Sequence, residues 1–147
     1  MKIALGADHA GYELKGQVAA VLEEHGHEVL NYGTNEASSV DYPDYGHPVA
    51  GAILEGAADL GVVICGSGNG INMTVNKHAG IRSALCWNEE LAALARQHND
   101  ANMLALPARF ITEKEALAIT RRFLEAEFEG GRHARRVAKI APQEKSS

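Results

Sequence analysis

Short apolar runs alternate with longer segments of helical periodicity, and this alternation restricts the fold more than any other feature of the chain. Short apolar runs are typical of strands buried on both faces of a parallel sheet, whose neighbouring strands must be joined by crossover helices. The predicted strands span residues 2–7, 28–32, 60–65, 81–86 and 102–106. The predicted helices span residues 12–24, 43–55, 71–76, 88–97 and 112–127. The pattern predicts an α/β fold, a Rossmann-like three-layer sandwich with a five-stranded parallel sheet and a C-terminal helical arm.

The length of 147 residues favours a single domain, because one core rarely needs to divide below roughly 250 residues. We predict this domain at residues 1–140, followed by a poorly ordered tail at 141–147. Thr112 and Glu115 have the spacing of a capping box and mark the start of the last predicted helix. Gly130 and Gly131 are expected to end it.

The net charge of -5 has the wrong sign for a protein that coats nucleic acid or an anionic membrane. We therefore expect neither partner. No apolar stretch approaches the roughly 20 residues that span a bilayer. The chain holds 2 cysteines, without a Cys-X-X-Cys pair, which excludes a disulfide framework and a four-cysteine zinc site. A reducing, cytoplasmic location is expected.

A glycine-rich loop follows the third predicted strand. Its residues are Cys65, Gly66, Ser67, Gly68, Asn69 and Gly70. Ligands of parallel sheets bind beyond the carboxyl ends of the strands, and glycines allow backbone amides to face an anion there. The loop is either an anion cradle or simply a tight connection between strand and helix. Asp8 and His9 follow the first strand, and Arg109 follows the fifth.

Three well-known phosphate-binding loops are excluded by position. Residues 6–11 have the glycine spacing of a Walker loop, but Tyr12 stands where the lysine is required. A dinucleotide fingerprint follows the first strand, whereas the glycines of residues 66–68 follow the third, and Ile71 stands at the third glycine position. A cysteine-dependent phosphatase would need an arginine at that same position, counted from Cys65. ATP hydrolysis, NAD binding and phosphatase chemistry are therefore disfavoured.

Several side chains could move protons. Cys65 lies beside oriented amides, which favour a thiolate that could act as base or nucleophile, although a cysteine in an apolar run can also be a core residue. The imidazoles of His9 and His98 titrate in a range suited to acid–base catalysis. His98 and Asn99 end the helix before the fifth strand, and their loop must carry them to the edge that holds Cys65.

Positive charge is concentrated near the C-terminus. Six of the 14 Lys and Arg residues lie there, namely Arg121, Arg122, Arg132, Arg135, Arg136 and Lys139. Arg132 and Arg136 are four residues apart and share one helical face, where two guanidinium groups can hold a phosphate dianion. The alternative is a solvated basic face that balances nearby glutamates.

Taken together, these residues resemble the ribose-5-phosphate isomerase B family, which includes galactose-6-phosphate isomerase subunits and allose-6-phosphate isomerase. The resemblance covers nearly the whole chain and keeps the family's order of motifs. These motifs are residues 6–11, 41–44, 65–70, 76–77, 80–82 and 98–99 with Asn102, and Arg132 with Arg136. One branch of the family has a glutamate base six residues after this cysteine position. Ile71 stands there, so the chain resembles the cysteine branch.

The resemblance implies interconversion of D-ribose 5-phosphate and D-ribulose 5-phosphate through an enediolate. By the family pattern Cys65 is the carbon base, Ser67 polarises or relays a proton, and His98 assists ring opening. The implied substrate-binding residues are Asp8, His9, Tyr42, Gly66, Gly68, Asn69, Gly70, Asn99, Arg109, Arg132 and Arg136. Within this set, Asp8 and Asn99 orient hydroxyls, and His9 joins the two C-terminal arginines at the phosphate.

The resemblance also implies a homodimer or tetramer whose sites are shared between subunits. No metal or organic cofactor is expected, since the Asp and His residues lack zinc-ligand spacing. Two alternatives stay open. The substrate could be a longer sugar such as allose 6-phosphate, or the chain could be a noncatalytic module that binds phosphosugars.

Overall fold

Five parallel strands form the centre of the computed structural model, which describes residues 1–142. They are β1 (Lys2–Ala7), β2 (Glu28–Asn31), β3 (Leu60–Cys65), β4 (Ser83–Leu85) and β5 (Met103–Pro107). Their order across the sheet is β2-β1-β3-β5-β4, and every neighbouring pair is parallel. β3 is therefore the central strand, and the ends of β1 and β5 lie on either side of its last residue, Cys65.

Helices cover both faces of the sheet. They are α1 (Tyr12–Glu24), α2 (Pro43–Leu54), α3 (Asn69–Val75), α4 (Glu89–Asn99), α5 (Glu113–Glu125) and α6 (Arg132–Ala138). One core lies under α1, α4 and α5 and includes Val18, Ile119 and Phe123, each fully buried. The other lies under α2 and α3 and includes Val49 and Ile71. This is the predicted three-layer sandwich, and the fold class is confirmed.

The sheet is buried on both faces because alternate residues of each strand point to opposite cores. In β3, Val62 and Ile64 join the core under α1, α4 and α5, whereas Val63 and Cys65 join the core under α2 and α3. All six residues of β3 are buried. The side chain of Cys65 therefore lies on the α2 and α3 face of the sheet.

Several element boundaries differ from those predicted. β4 is an edge strand that pairs only with β5, and it is limited to Ser83–Leu85. Before it, the backbone amide of Arg82 donates to the side-chain oxygen of Asn102 (2.8 Å) instead of to a strand partner. The helix predicted over residues 112–127 ends at Glu125, because Ala126 adopts an extended conformation. The capping box of Thr112 and Glu115 is present as predicted.

The C-terminal arm contains its own helix, α6, which begins after Gly131 and packs against α4. Within residues 1–142, no helix is both long and apolar enough to cross a membrane. The tail predicted at 141–147 falls largely outside the described residues, since the description ends at Pro142.

Candidate active site

Five side chains and one loop that were predicted to act together meet at the carboxyl edge of the sheet, and we call them the cysteine cluster. They are Asp8, His9, Tyr42, Cys65, the loop of residues 66–70, and Arg109, with Ser67 inside the loop. Asp8 follows β1, Cys65 ends β3 and Arg109 follows β5. Because these three strands are adjacent and parallel, their ends lie side by side.

The glycine loop presents backbone amides instead of using them internally. Gly68 has a φ of +77°, a left-handed conformation that glycine adopts without strain, and its carbonyl begins α3 by accepting from Asn72. Within residues 1–142, the amides of Gly66, Ser67, Gly68 and Gly70 donate to no protein acceptor. These donors suit an anion or a developing oxyanion, so the loop has the properties of the predicted cradle.

Tyr42 packs directly on this loop. It stands immediately before Pro43, the first residue of α2, and its ring crosses Gly70. A Cβ atom on Gly70 would lie 2.5 Å from Cζ of Tyr42, so no other residue fits without moving the ring. Arg109 contacts the start of the loop, where its amide donates to the carbonyl of Gly66 (3.0 Å) and its guanidinium group lies close to Gly66. The aromatic ring and the guanidinium group therefore lie at the two ends of the loop.

The side chains after β1 are held in defined orientations. Asp8 is buried, and its Oδ1 accepts from the amides of Ala10 (3.0 Å) and Gly11 (3.2 Å). Nδ1 of His9 accepts from the amide of Val40 (3.1 Å). A nitrogen that accepts from an amide carries no proton, so the proton of the neutral ring is on Nε2. Nε2 of His9 is therefore a donor available to an anionic ligand.

The two cysteines differ in their neighbours although both are buried. Cys65 is 4% exposed and ends its strand immediately before the glycine loop. Cys86 is 1% exposed, belongs to the core under α1, α4 and α5, and has no such loop after it. Burial raises the pKa of Cys86 to about 12. Cys86 is therefore an inert core thiol at neutral pH.

The remaining predicted residues lie elsewhere, and we call them the histidine cluster. They are His98 and Asn99 at the end of α4, and Arg132 and Arg136 on α6. The prediction that a loop carries His98 and Asn99 to the edge holding Cys65 is wrong. The carbonyl of Asn99 accepts from the guanidinium group of Arg82 (3.2 Å), which stands immediately before β4, at the amino edge of the sheet.

The separation follows from the direction of the helices. α4 runs antiparallel to the strands that it connects, so its last residues lie beside the start of β5. There the amide of Gly61, at the start of β3, donates to the carbonyl of Asn102 (3.0 Å). Cys65 ends the same strand four residues later, roughly 13 Å away at 3.3 Å per residue. One chain therefore does not bring the two clusters together.

Two members of the histidine cluster were missed from the sequence, Glu129 and His133. The rings of His98 and His133 stack with their centroids 4.1 Å apart, and Oε1 of Glu129 is 3.6 Å from Nε2 of each ring. The sequence did contain a signal for these two residues, because Glu129 and His133 are four residues apart and lie beside the two arginines. Among the described residues, these three side chains form one group whose ligand atoms lie close enough to hold a metal ion.

Arg132 and Arg136 are both exposed and stand one turn apart on α6. Neither forms an ion pair within the described part of the chain. Their positive charges lower the pKa of the neighbouring His133, after the larger effects of its burial and of His98. The pair is thus free to bind an anion, as predicted for a phosphate clamp, but on a surface distant from Cys65 of the same chain.

Comparison with known proteins places these residues in a family context. The family model described as Ribose/Galactose Isomerase matches residues 3–140. Ribose-5-phosphate isomerase B of Escherichia coli (strain K12) is 45% identical over 139 residues, which cover 95% of this chain and 93% of the relative. The solved structure of Clostridium thermocellum ribose-5-phosphate isomerase B has a TM-score of 0.94 at 51% identity, covering 95% of both chains. Ribose-5-phosphate isomerase B from Mycoplasma genitalium, solved with bound ribulose-5-phosphate, has a TM-score of 0.92 at 42% identity, covering 95% of this chain and 93% of that one.

The raised pKa of Cys86 makes its reactivity testable. At pH 8, iodoacetamide should leave Cys86 unmodified in the folded protein, because the thiol form dominates below a pKa of about 12. Mass spectrometry of tryptic peptides after labelling measures this. Unfolding in urea before labelling is the control and should make Cys86 reactive. Rapid modification of Cys86 in the folded chain would contradict the assignment.

Proposed function

The chain belongs to the Ribose/Galactose Isomerase family, and we propose that it interconverts D-ribose 5-phosphate and D-ribulose 5-phosphate with Cys65 as the carbon base. An enzyme of this kind is an aldose–ketose isomerase of the ribose-5-phosphate isomerase B type, and its reaction belongs to the pentose phosphate pathway. The observation that carries the proposal is the position of Cys65, beside free loop amides and between the ends of β1 and β5.

The central step moves one proton between adjacent carbons. The Cys65 thiolate takes the proton from C2 of the open-chain aldose, and the electrons of that bond form the C1–C2 double bond of an enediolate. The thiol then returns a proton to C1 while the oxygen on C2 becomes the ketone. Ser67 is exposed beside the thiol and moves the hydroxyl proton between the two oxygens. No oxidant or reductant is consumed.

The glycine loop supplies the stabilisation that this intermediate needs. Negative charge develops on the substrate oxygens when the C2 proton leaves, and the free amides of Gly66, Ser67, Gly68 and Gly70 are oriented before the reaction begins. Each preorganised donor to an oxyanion is commonly worth about 3 to 4 kcal/mol. The buried Asp8 orients a sugar hydroxyl, since its Oδ1 is fixed by two amides while its other oxygen is left to accept. Tyr42 and Arg109 enclose the substrate from the two ends of the loop.

The phosphate and the sugar ring require the histidine cluster. Ribose 5-phosphate enters as a furanose, and His98 assists its opening while Asn99 orients a hydroxyl. Nε2 of His9 donates to the phosphate, and Arg132 and Arg136 neutralise the dianion. For one substrate molecule to contact both clusters, the histidine cluster must lie no farther from Cys65 than the length of a pentose phosphate.

A second copy of the chain supplies that approach in our proposal. The two clusters are roughly 13 Å apart or more within one chain, but a twofold arrangement places the cysteine cluster of one copy against the histidine cluster of the other. Two large apolar side chains beside the cysteine cluster are exposed, Phe110 (75%) and Met73 (64%). Exposed apolar residues next to a site favour coverage by a partner. The proposed unit is thus a homodimer, alone or within a tetramer.

The chemistry also bears on cofactors and location. Proton transfer between carbons needs neither a metal nor an organic cofactor when donors and a base are preorganised. It does need Cys65 as a free thiol, which is its state in the structure. A reducing cytoplasm keeps such thiols reduced, so we place the protein there.

The function is tested by a coupled isomerase assay with ribose 5-phosphate, run with and without EDTA. We expect turnover that survives chelation. Allose 6-phosphate is assayed in parallel. A clear preference for it would show that the substrate is a hexose 6-phosphate and not a pentose 5-phosphate. Calorimetric binding of both sugars without turnover of either would indicate a noncatalytic module and refute the isomerase proposal.

Replacement of the proposed base gives a sharper test. Cys65→Ala should lower isomerisation and deuterium exchange from heavy water by about 10²–10⁴-fold, the usual contribution of a general base. Ribose 5-phosphate should still bind, as measured by calorimetry, because the phosphate groups are untouched. Cys86→Ala is the matched control and should keep its exchange activity, since Cys86 lies in the core under α1, α4 and α5. Exchange at the wild-type rate in Cys65→Ala would exclude Cys65 as the base.

Mixing of two inactive variants tests the shared site. Cys65→Ala and Arg136→Ala chains, unfolded and refolded together, should regain about a quarter of wild-type activity, because half of the dimers are mixed and one of their two sites is intact. The control replaces Arg136→Ala by the double variant Cys65→Ala/Arg136→Ala, which can restore no site. Failure to regain activity in mixed dimers verified by mass spectrometry would place each site within one chain.

A further inference from the structure

Glu129 and His133 surround His98 in a way that the proposed reaction has not yet used. His133 is 8% exposed and its ring lies parallel to that of His98, with an interplanar angle of 10°. Oε1 of Glu129 is 3.6 Å from Nε2 of both rings. That distance is too long for a direct hydrogen bond but within the range of an ion pair or a water bridge. The Glu129 carboxylate thus lies at the same distance from both imidazoles.

The stacked rings argue against a metal ion held by all three groups. A metal ion binds imidazole in the plane of the ring, about 2.0 to 2.1 Å from the nitrogen for zinc. The two ring planes here are nearly parallel with their centroids 4.1 Å apart, so they do not converge on a point that close to both nitrogens. The arrangement fits a group that orients a ring and holds a proton.

Backbone contacts fix this group from both sides. The amide of Glu129 donates to the carbonyl of Gln97 (3.0 Å), the residue directly before His98. The amide of His133 donates to the carbonyl of Gly130 (3.1 Å), which shapes the start of α6. The loop that carries Glu129 is therefore attached to the last turn of α4. The His98 ring, whose side chain is 38% exposed, is the one that a substrate can reach.

The charges around the pair favour a single shared proton. Two stacked imidazoles repel each other when both are protonated. Burial, followed by His98 and Arg132, lowers the pKa of His133, while Glu129 opposes this and Arg136 adds to it. These are the charged groups that act on His133 from α4, from α6 and from the segment before it. His133 is thus neutral at neutral pH.

We propose that His133 and Glu129 are positioning residues for His98: the His133 ring holds the plane of the His98 ring, and the Glu129 carboxylate stabilises the protonated His98. This inference rests on the proposed isomerase function. Nε2 of His98 is 3.6 Å from Oε1 of Glu129, so in this proposal Nδ1 is the nitrogen that donates to the substrate. In ring opening, His98 protonates the ring oxygen O4, the C1–O4 bond breaks, and the hydroxyl on C1 loses its proton to water and becomes an aldehyde. Solvent then restores the proton on His98.

The test exploits a chemical difference between substrate and product. Ribulose 5-phosphate cannot close a furanose ring because its C5 hydroxyl is esterified, so deuterium exchange at its C1 needs no ring opening. Glu129→Gln and His133→Phe should lower kcat for ribose 5-phosphate by roughly 10- to 100-fold, the usual effect of removing an orienting partner. Exchange into ribulose 5-phosphate from heavy water should stay within about twofold of wild type. KM should also be unchanged.

A pH profile and a rescue variant separate positioning from structure. Glu129→Gln removes a carboxylate that lies 3.6 Å from both imidazoles, so the pH profile of kcat for ribose 5-phosphate should differ from that of the wild type. Glu129→Asp, which restores the carboxylate, should return most of kcat. Glu127→Gln is the matched control, since it removes an exposed carboxylate of the same segment that forms no ion pair within residues 1–142.

Two outcomes would overturn the inference. The first is a wild-type kcat and pH profile in Glu129→Gln, an exposed position whose substitution leaves the core intact. The second is a raised KM with an equal loss of ribulose 5-phosphate exchange, which would show that the variants merely displace the arginines of α6. Failure of the proposed function is distinct, because it would appear as wild-type protein that isomerises neither sugar.

Discussion

The parallel direction of β1, β3 and β5 is the constraint on which the rest of the structure depends. Parallel neighbours bring their carboxyl ends to one edge, so side chains that are distant in the sequence become adjacent there. Cys65, Asp8 and Arg109 come from three different strand ends and share that edge without any dedicated connection. A buried sheet also keeps these ends rigid, because each strand is packed on both faces. The cysteine cluster is therefore a consequence of topology.

The same direction sends the ends of the crossover helices to the opposite edge. α4 ends at Asn99 beside the start of β5, and α6 packs against it. The chain thus carries two separate groups, one with a thiol and free amides and one with imidazoles and exposed arginines. In the proposed function neither group is a site alone. In that function the reaction requires two associated copies, because the two groups lie at opposite edges of the sheet within one chain.

Local environment decides what a residue type contributes. Cys65 and Cys86 are both buried at the ends of strands, yet only Cys65 is next to a loop with unused amides. Burial raises the pKa of Cys86 far above neutrality. Histidine shows the same principle in the proposed positioning group, where the buried ring of His133 serves the exposed ring of His98. In the proposed function an acidic chain likewise binds a phosphate, because Arg132 and Arg136 concentrate positive charge on one short helix.

The sequence by itself determined the fold class, the position of the glycine loop and the residues that follow the strands, since apolar periodicity and glycine position are local signals. Other members of the cysteine cluster, such as Tyr42, came only from the family resemblance. It also determined that Arg132 and Arg136 share a helical face. It missed Glu129 and His133, whose partner His98 is distant in sequence and reached only by packing of α6 on α4. Only the tertiary structure decided that His98 and Asn99 lie at the opposite edge from Cys65. The reason is that the direction in which a helix crosses the sheet decides at which edge its last residues lie. No local sequence pattern contains that direction.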